Sequence, residues 1–228
     1  MAFDGPFYSH LHSTTKAAVL KYLEPAFFQN KTVISIGEGG GDYARWLTDL
    51  SANVLATDGR ADNVSDLSGQ VFPSEVFDAN TSTLTKTYDL CWHIDTLYHL
   101  TKFDDHLANV CNNVNFLILQ CDVIDSDDAT ECTTVSELSD RRDQSLAGVG
   151  TRPSPAYVEA ILSANGMHFK RLSDPDFNLS GEWVKRYDWT CQNTKKSGHN
   201  AEDPNDNIAS FWICWKNGQA NPIVANLQ

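Results

Sequence analysis

The stretch KTVISIGEGGGDYARWL, residues 31–47, decides the fold. Its first seven residues are β-branched, short and apolar, the pattern of a strand buried on both faces of a parallel sheet. The cluster Gly37-Glu38-Gly39-Gly40-Gly41 ends that strand, and Asp42 can open a helix in which Tyr43, Trp46, Leu47 and Leu50 recur at i, i+3, i+4 and i+7. Strand, glycine turn and helix therefore form one unit. Glycines in such a turn let the backbone approach a ligand and aim free amides at it. The string from Gly39 to Ala44 fits G-x-G-x-x-A, and Asp58 lies about 20 residues on, at a ribose-binding position. The motif alone does not choose between nucleoside cofactors, and a tight turn without a ligand would also use glycine.

Working outward, 53–57 reads as a second strand ending at Asp58 and Gly59, and 71–77 as a third, interrupted by Pro73 and ending at Asp78. Residues 13–24 form a helix with Val19, Leu20 and Leu23 on one face and Pro25 as its stop, inside an N-terminal helical segment of residues 1–30. A fourth strand at 88–93, a helix at 103–111 and a fifth strand at 115–121 continue the alternation. Ser154 and Pro155 open a helix whose buried stripe is Tyr157, Val158, Ile161 and Leu162 and which stops at Gly166. Strands at 167–172 and 211–215 complete an α/β, doubly wound, mostly parallel seven-stranded sheet with helices on both faces. The length of 228 residues, set against about 150 per domain, favours a single domain over 1–228. Residues 173–209 form an insertion, expected as a lid between the last two strands.

Between residues 122 and 143 eight carboxylates stand against two arginines, which reads as a solvated loop with at most a short helix. Asp125, Asp127 and Asp128 lack the glycine and terminal glutamate of a calcium loop, so no metal is expected. A formal charge of −13 argues against nucleic acid as a partner. The six cysteines contain no C-x-x-C pair and most read as buried thiols. No apolar run approaches about 18 residues and the N-terminus lacks a signal-peptide pattern, so no membrane association and a cytoplasmic, reducing location are expected.

Several segments, in order over roughly residues 31–172, together resemble the class I S-adenosylmethionine-dependent methyltransferases. VISIGEGGGDYARWL is similar to that family's first motif, NVLATDGR to its second and VFDAN to its third. YDLCWHIDTLYHL is similar to the fourth-strand segment, and TRPSPAYVEAILSANGMHFKRL to the late helix and sixth strand. The resemblance implies a Rossmann-like methyltransferase fold and methyl transfer from S-adenosylmethionine, with S-adenosylhomocysteine as product. It implies a small-molecule acceptor, a hydroxyl of a sugar or metabolite. The cofactor contacts it implies are Gly37, Glu38, Gly39, Gly41, Asp58 on the ribose, Gly59, Asp78 and the Ala79 amide at the adenine, and His93. Ser35 stands where the family carries an acid, so the grip on the methionine amino group would pass to Glu38.

The chemistry agrees, because a sulfonium cofactor without phosphates needs carboxylates and backbone amides rather than a lysine or arginine clamp. An NAD(P)-dependent oxidoreductase could use the Tyr98-x-x-x-Lys102 string, but that string falls between the fourth and fifth strands, whereas short-chain reductases carry theirs after the fifth. A non-catalytic S-adenosylmethionine-binding module would keep the same pocket. At the end of the fourth strand His93 is the expected general base, with Asp95 orienting its ring. Candidate substrate contacts are His99, Arg152 and the aromatic residues Trp183, Tyr187 and Trp189 of the insertion.

Overall fold

Continuously apolar strands, expected for a parallel sheet covered on both faces, form the centre of the molecule. A computed structural model describes residues 3, 5–172, 174, 176, 186–187 and 208–227. In chain order the elements are α1 (Pro6–Tyr22), β1 (Thr32–Ile36), α2 (Asp42–Asp49), β2 (Asn53–Asp58), α3 (Ala61–Asp66), β3 (Ser74–Val76) and β4 (Tyr88–His93). Beyond them come α4 (Phe103–Asn113), β5 (Val114–Val123), β6 (Cys132–Ser136), β7 (Val149–Pro153), α5 (Pro155–Ala164), β8 (Met167–Arg171), β9 (Arg186–Tyr187) and β10 (Ile208–Lys216). The main sheet runs β3-β2-β1-β4-β5-β10-β8, with the two-residue β9 paired to β10. Strands β1 to β5 pair in parallel and β10 is antiparallel to both β5 and β8. This is the doubly wound, mostly parallel sheet that the sequence predicts.

Period-2 alternation divides the core in two. Val33, Leu90, Trp92, Ile118 and Phe211 face α1, α2 and Phe28, while Ile34, Cys91, Leu117, Leu119 and Trp212 face α4 and α5. Two elements differ from expectation. The third strand shrinks from 71–77 to Ser74–Val76 at the sheet edge, because Pro73 has no N–H to give the ladder. The acidic stretch is not a simple loop: β5 runs on to Val123, and β6 pairs with β7 in an antiparallel hairpin registered from Cys132↔Pro153 to Ser136↔Val149. Its β-branched run Thr133-Thr134-Val135 supports a strand even where the surrounding charge suggests solvent.

Because β1 to β5 are parallel, their carboxyl ends meet at one edge of the sheet, where open α/β sheets bind ligands. Trp92 secures the helix that begins at this edge. It lies in the sheet with 1 % exposure, and its ring is 5.2 Å from Tyr43 and 5.3 Å from Trp46 of α2. Trp92→Ala should therefore cost about 3–5 kcal/mol, the usual range for a deleted buried aromatic, read as a lower urea midpoint. A loss below about 1 kcal/mol would show that α2 is not held through this ring.

Candidate active site

The turn after β1 adopts left-handed backbone at alternate positions, with φ of 74° at Gly37, 56° at Gly39 and 85° at Gly41. A Cβ on Gly37 would collide with the hydroxyl of Thr96, in the loop after β4, so two strand ends close on each other only because residue 37 has no side chain. The Gly37 and Glu38 amides both donate to the Thr57 carbonyl at 2.9 Å. The Glu38 carboxylate turns inward, accepting from the Ala44 amide at 2.8 Å and from the Ser35 hydroxyl. Burial pushes its pKa up to about 7 against the pull of those two hydrogen bonds. Ser35 and Glu38 thus act as a pair at the start of α2.

Asp58, at the end of β2, ties the next strand to the turn. One carboxylate oxygen accepts from the Gly39 amide at 3.0 Å, the other from the Arg60 amide at 2.8 Å and the Asn63 side chain at 3.1 Å. Burial raises its pKa, and those hydrogen bonds oppose the rise. Asp78 accepts from the Asn80 amide and the Thr81 hydroxyl, both at 3.0 Å. Gly37, Glu38, Gly39, Asp58, Gly59, Asp78 and Ala79 all line one cavity of about 990 Å³. Gly41 stands just behind it, where a Cβ would press on Leu67 and Phe72.

Two segments distant in sequence cover this cavity. From the N-terminus come Phe3, Tyr8, Leu11 and His12, and from the hairpin tip come Arg141 to Leu146. The Tyr8 hydroxyl donates to Asp143 at 2.7 Å and joins the two covers. Three arginines line the cavity, and each is committed to protein groups. Arg60 donates to the carbonyls of Ser139 and Gln144 at 2.8 and 3.1 Å, and Arg141 to Asp143 at 2.9 and 3.1 Å. Arg142 meets Asn63 at 2.7 Å, Asp62 at 3.1 Å and Asp66 at 2.8 Å. The cavity consequently presents carboxylates and backbone amides, without an arginine clamp for phosphate.

His93 departs from the expected base. It is fully buried, does not line the cavity, and lies 3.0 Å (Nε2 to Nε2) from His106 of α4 rather than against Asp95. The pleat explains this: residue 93 shares the Cys91 face of β4, which packs on α4, while Trp92 takes the opposite face. Asp95 does line the cavity, in left-handed backbone (φ 56°) with its amide held by the buried Gln120 side chain at 2.7 Å.

His99 reaches the cavity as expected. Its Nδ1 lies 2.5 Å from the buried Glu137 carboxylate, which also accepts from the Ser145 amide at 2.8 Å and from Arg152 at 3.3 Å. Burial would raise the Glu137 pKa, but the hydrogen bond and charge of His99, with Ser145 and Arg152 behind them, hold it below the ordinary range. Arg152 is not a substrate anchor. It sits behind the wall, 4.6 Å over the Tyr98 ring, and its Nη1 donates to the Tyr98 carbonyl at 3.0 Å and to Glu137 at 3.3 Å. Trp183 and Trp189 lie outside the described residues, and Tyr187 is described only through its backbone pairing with Ala209.

Sequence reasoning missed Glu137, His12 and the cavity-lining arginines. The β-branched run of β6 was the available signal for Glu137, and His12, one helical turn from Tyr8 in α1, for the N-terminal cover. Among the described residues no group of three or more metal-ligating side chains is assembled, and no helix is long and apolar enough to cross a membrane.

No protein-family model and no curated protein matches the sequence. Solved structures do match in fold. The N-terminal domain of EvdMO1 with SAH bound has a TM-score of 0.63 at 13% identity, covering 89% of this chain and 80% of that one. An S-adenosylmethionine-dependent methyltransferase from Mesorhizobium loti has a TM-score of 0.58 at 11% identity, covering 95% of this chain and 100% of that one. The DhpI–SAH complex has a TM-score of 0.57 at 16% identity, covering 95% and 91%. The fold of this chain is the Rossmann-like fold of these structures.

The His93–His106 pair makes stability depend on pH. Burial drives His93 far down and His106 to about 4, whereas both imidazoles titrate near 6.5 when unfolded. The unfolded chain then binds two more protons between about pH 6.5 and 4, so this stability is complete above 6.5 and lost as pH falls through that window. Glu38, raised to about 7, works in the opposite sense with one proton, leaving a net loss on acidification. His106→Gln should flatten the fall in melting temperature between about pH 6.5 and 4.5. A variant with the wild-type slope would remove the pair as its source.

Proposed function

We propose that this chain is an S-adenosylmethionine-dependent methyltransferase acting on a small molecule. One observation carries the reading. The glycine turn, Asp58, Asp78 and Ala79 lie along one wall of a single cavity whose arginines are all engaged elsewhere. That wall fits a cationic nucleoside without phosphates: Asp58 for the ribose hydroxyls, Asp78 and the Ala79 amide for the base, and a turn whose missing side chains let the cofactor approach the backbone. When bound, this cofactor supplies an electrophilic methyl group on sulfur. A volume of about 990 Å³ lies at the top of the usual 300–1,000 Å³ range, which leaves room for a second small molecule.

We read the acceptor as a hydroxyl of a sugar or metabolite, and His99 as the residue that takes its proton. With Nδ1 turned to Glu137, the ring keeps its other nitrogen for the cavity, and Glu137 holds the tautomer. Alignment beneath the two covers, with water excluded, supplies the rest. The −13 charge favours a small molecule over nucleic acid, and the five free thiols among the described residues fit a reducing, cytoplasmic location. We take the chain as one functional domain. The oxidoreductase alternative loses support, because the Tyr98 hydroxyl lies 3.4 Å from Asp95 in a short 3-10 turn and Lys102 is exposed at the start of α4.

Calorimetry should show S-adenosylhomocysteine binding and no NAD(H) or NADP(H) binding. Asp58→Ala should weaken S-adenosylhomocysteine by about 1.5–3 kcal/mol, the loss of a hydrogen bond to a charged group. Binding of nicotinamide cofactors alone would overturn the reading. Once an acceptor is found, His99→Ala should lower turnover by roughly 10² to 10⁴ with cofactor affinity within a few-fold, and full turnover would remove His99 from proton transfer. A chain that binds the cofactor and turns over no acceptor would be the silent binding module instead.

A further inference from the structure

We propose that His12, held by Asp42, receives the carboxylate at the amino-acid end of the bound cofactor. The inference rests on the nucleoside reading of the cavity and adds to it a partner for the anionic end of the cofactor. The cofactor's tail is a zwitterion. Its ammonium suits a wall rich in carboxylates, but its carboxylate needs a donor, and a charged donor makes the stronger hydrogen bond. Asp58 and Asp78, at the ends of β2 and β3, fix the nucleoside half, so the tail extends past Gly37 and Gly39 toward the start of α2.

The arginines already hold protein groups. Arg60 is bound to carbonyls of the hairpin tip, Arg141 to Asp143 and Arg142 to Asn63, Asp62 and Asp66. His99, with its Nδ1 on Glu137, is assigned to the proton of the acceptor. Of the described basic groups lining the cavity, His10 and His12 remain, and His10 is exposed. His12 is built in. Its side chain is 12% exposed, its ring packs 4.6 Å from Tyr43, and its Nδ1 lies 2.9 Å from Asp42 Oδ2, with Asp42 held in turn by Arg45 at 3.2 Å.

The ring forms part of the wall between the main cavity and a side pocket of about 340 Å³ lined by Ser9, Ser13, Lys16 and Asp42. The charges that face it are Asp42 and Arg45 of α2, Glu38 of the turn and Lys16 one turn on in α1. Asp42 is the one in direct contact, and the hydrogen bond from His12 keeps its carboxyl below the ordinary range, so it meets the imidazole as an anion. With both ring nitrogens protonated, Nδ1–H serves Asp42 and Nε2–H is left as the donor for a second carboxylate. Asp42 is thus a positioning residue, and His12 is the one that makes the contact.

The test compares two nucleosides that differ only in the tail. S-adenosylhomocysteine carries the amino acid, and 5′-methylthioadenosine ends in a methyl group. By calorimetry His12→Ala should weaken S-adenosylhomocysteine roughly ten- to a hundred-fold while 5′-methylthioadenosine stays within about two-fold. His12→Gln, which keeps a neutral donor, should lie between the wild type and His12→Ala. An equal loss for both nucleosides would show that His12 only supports the cover, and an unchanged S-adenosylhomocysteine affinity would place the carboxylate elsewhere; either result overturns the inference. A wild-type chain that binds neither nucleoside would instead bring down the cofactor reading itself. Melting curves of His12→Ala, unchanged to within a few degrees, would establish that the variant is folded.

Discussion

The approach of Gly37 to Thr96 is the constraint on which the rest of this site depends. A methyl group at residue 37 would occupy the position of the Thr96 hydroxyl, which itself donates to the Ile36 and Ile94 carbonyls at 3.2 and 3.0 Å. The ends of β1 and β4 are thereby drawn together, with the amides of residues 37 and 38 committed to Thr57. The remainder of the turn inherits this placement: Gly39 presents its amide to Asp58, and Asp42 opens α2 beside His12. A wall of backbone and short acids can form here because no side chain competes for the space.

The same turn carries an exchange of acid between strand and loop. A carboxylate at residue 35 would sit in the sheet. Here a serine stands there, and the acid is three residues on, where Glu38 reaches back to the Ser35 hydroxyl and forward to the Ala44 amide. The negative charge stays within the same few ångströms while its anchor moves from the sheet to the helix start. Burial makes that charge titratable near neutrality, so a cation in the cavity would hold Glu38 in its ionised form.

The sheet was legible because β1, β2, β4 and β5 are each largely apolar in their own right, and the wall of the site was legible because glycines and acids fall at strand ends, where a parallel sheet must place them. Facing was harder. His93 ends β4 as expected, but one step along a pleat reverses direction, and whether residue 93 looks into the cavity or onto α4 depends on which face Cys91 and Trp92 take. The hairpin was hidden for another reason. Its first strand carries exposed threonines and is flanked by Glu131 and Glu137, so charge counting hides a β-branched run that pairs regularly with β7. Glu137 becomes a buried acid only through partners at residues 99, 145 and 152, none of them local to it.

Those distant partners explain why the hairpin belongs to the site. Glu137 gathers His99 from the loop after β4, the Ser145 amide from the hairpin tip and Arg152 from β7, and a Cβ at Gly150 would collide with it. Removing this carboxylate would leave a mostly buried arginine without its ion pair and a histidine ring free to turn, a larger loss than one hydrogen bond. The tip held by Glu137 also carries Asp143, which meets Tyr8 of α1 at 2.7 Å. The acid that orients His99 therefore also stations the cover that closes on the N-terminal helix, and a change at residue 137 should be felt in both places through the same set of bonds.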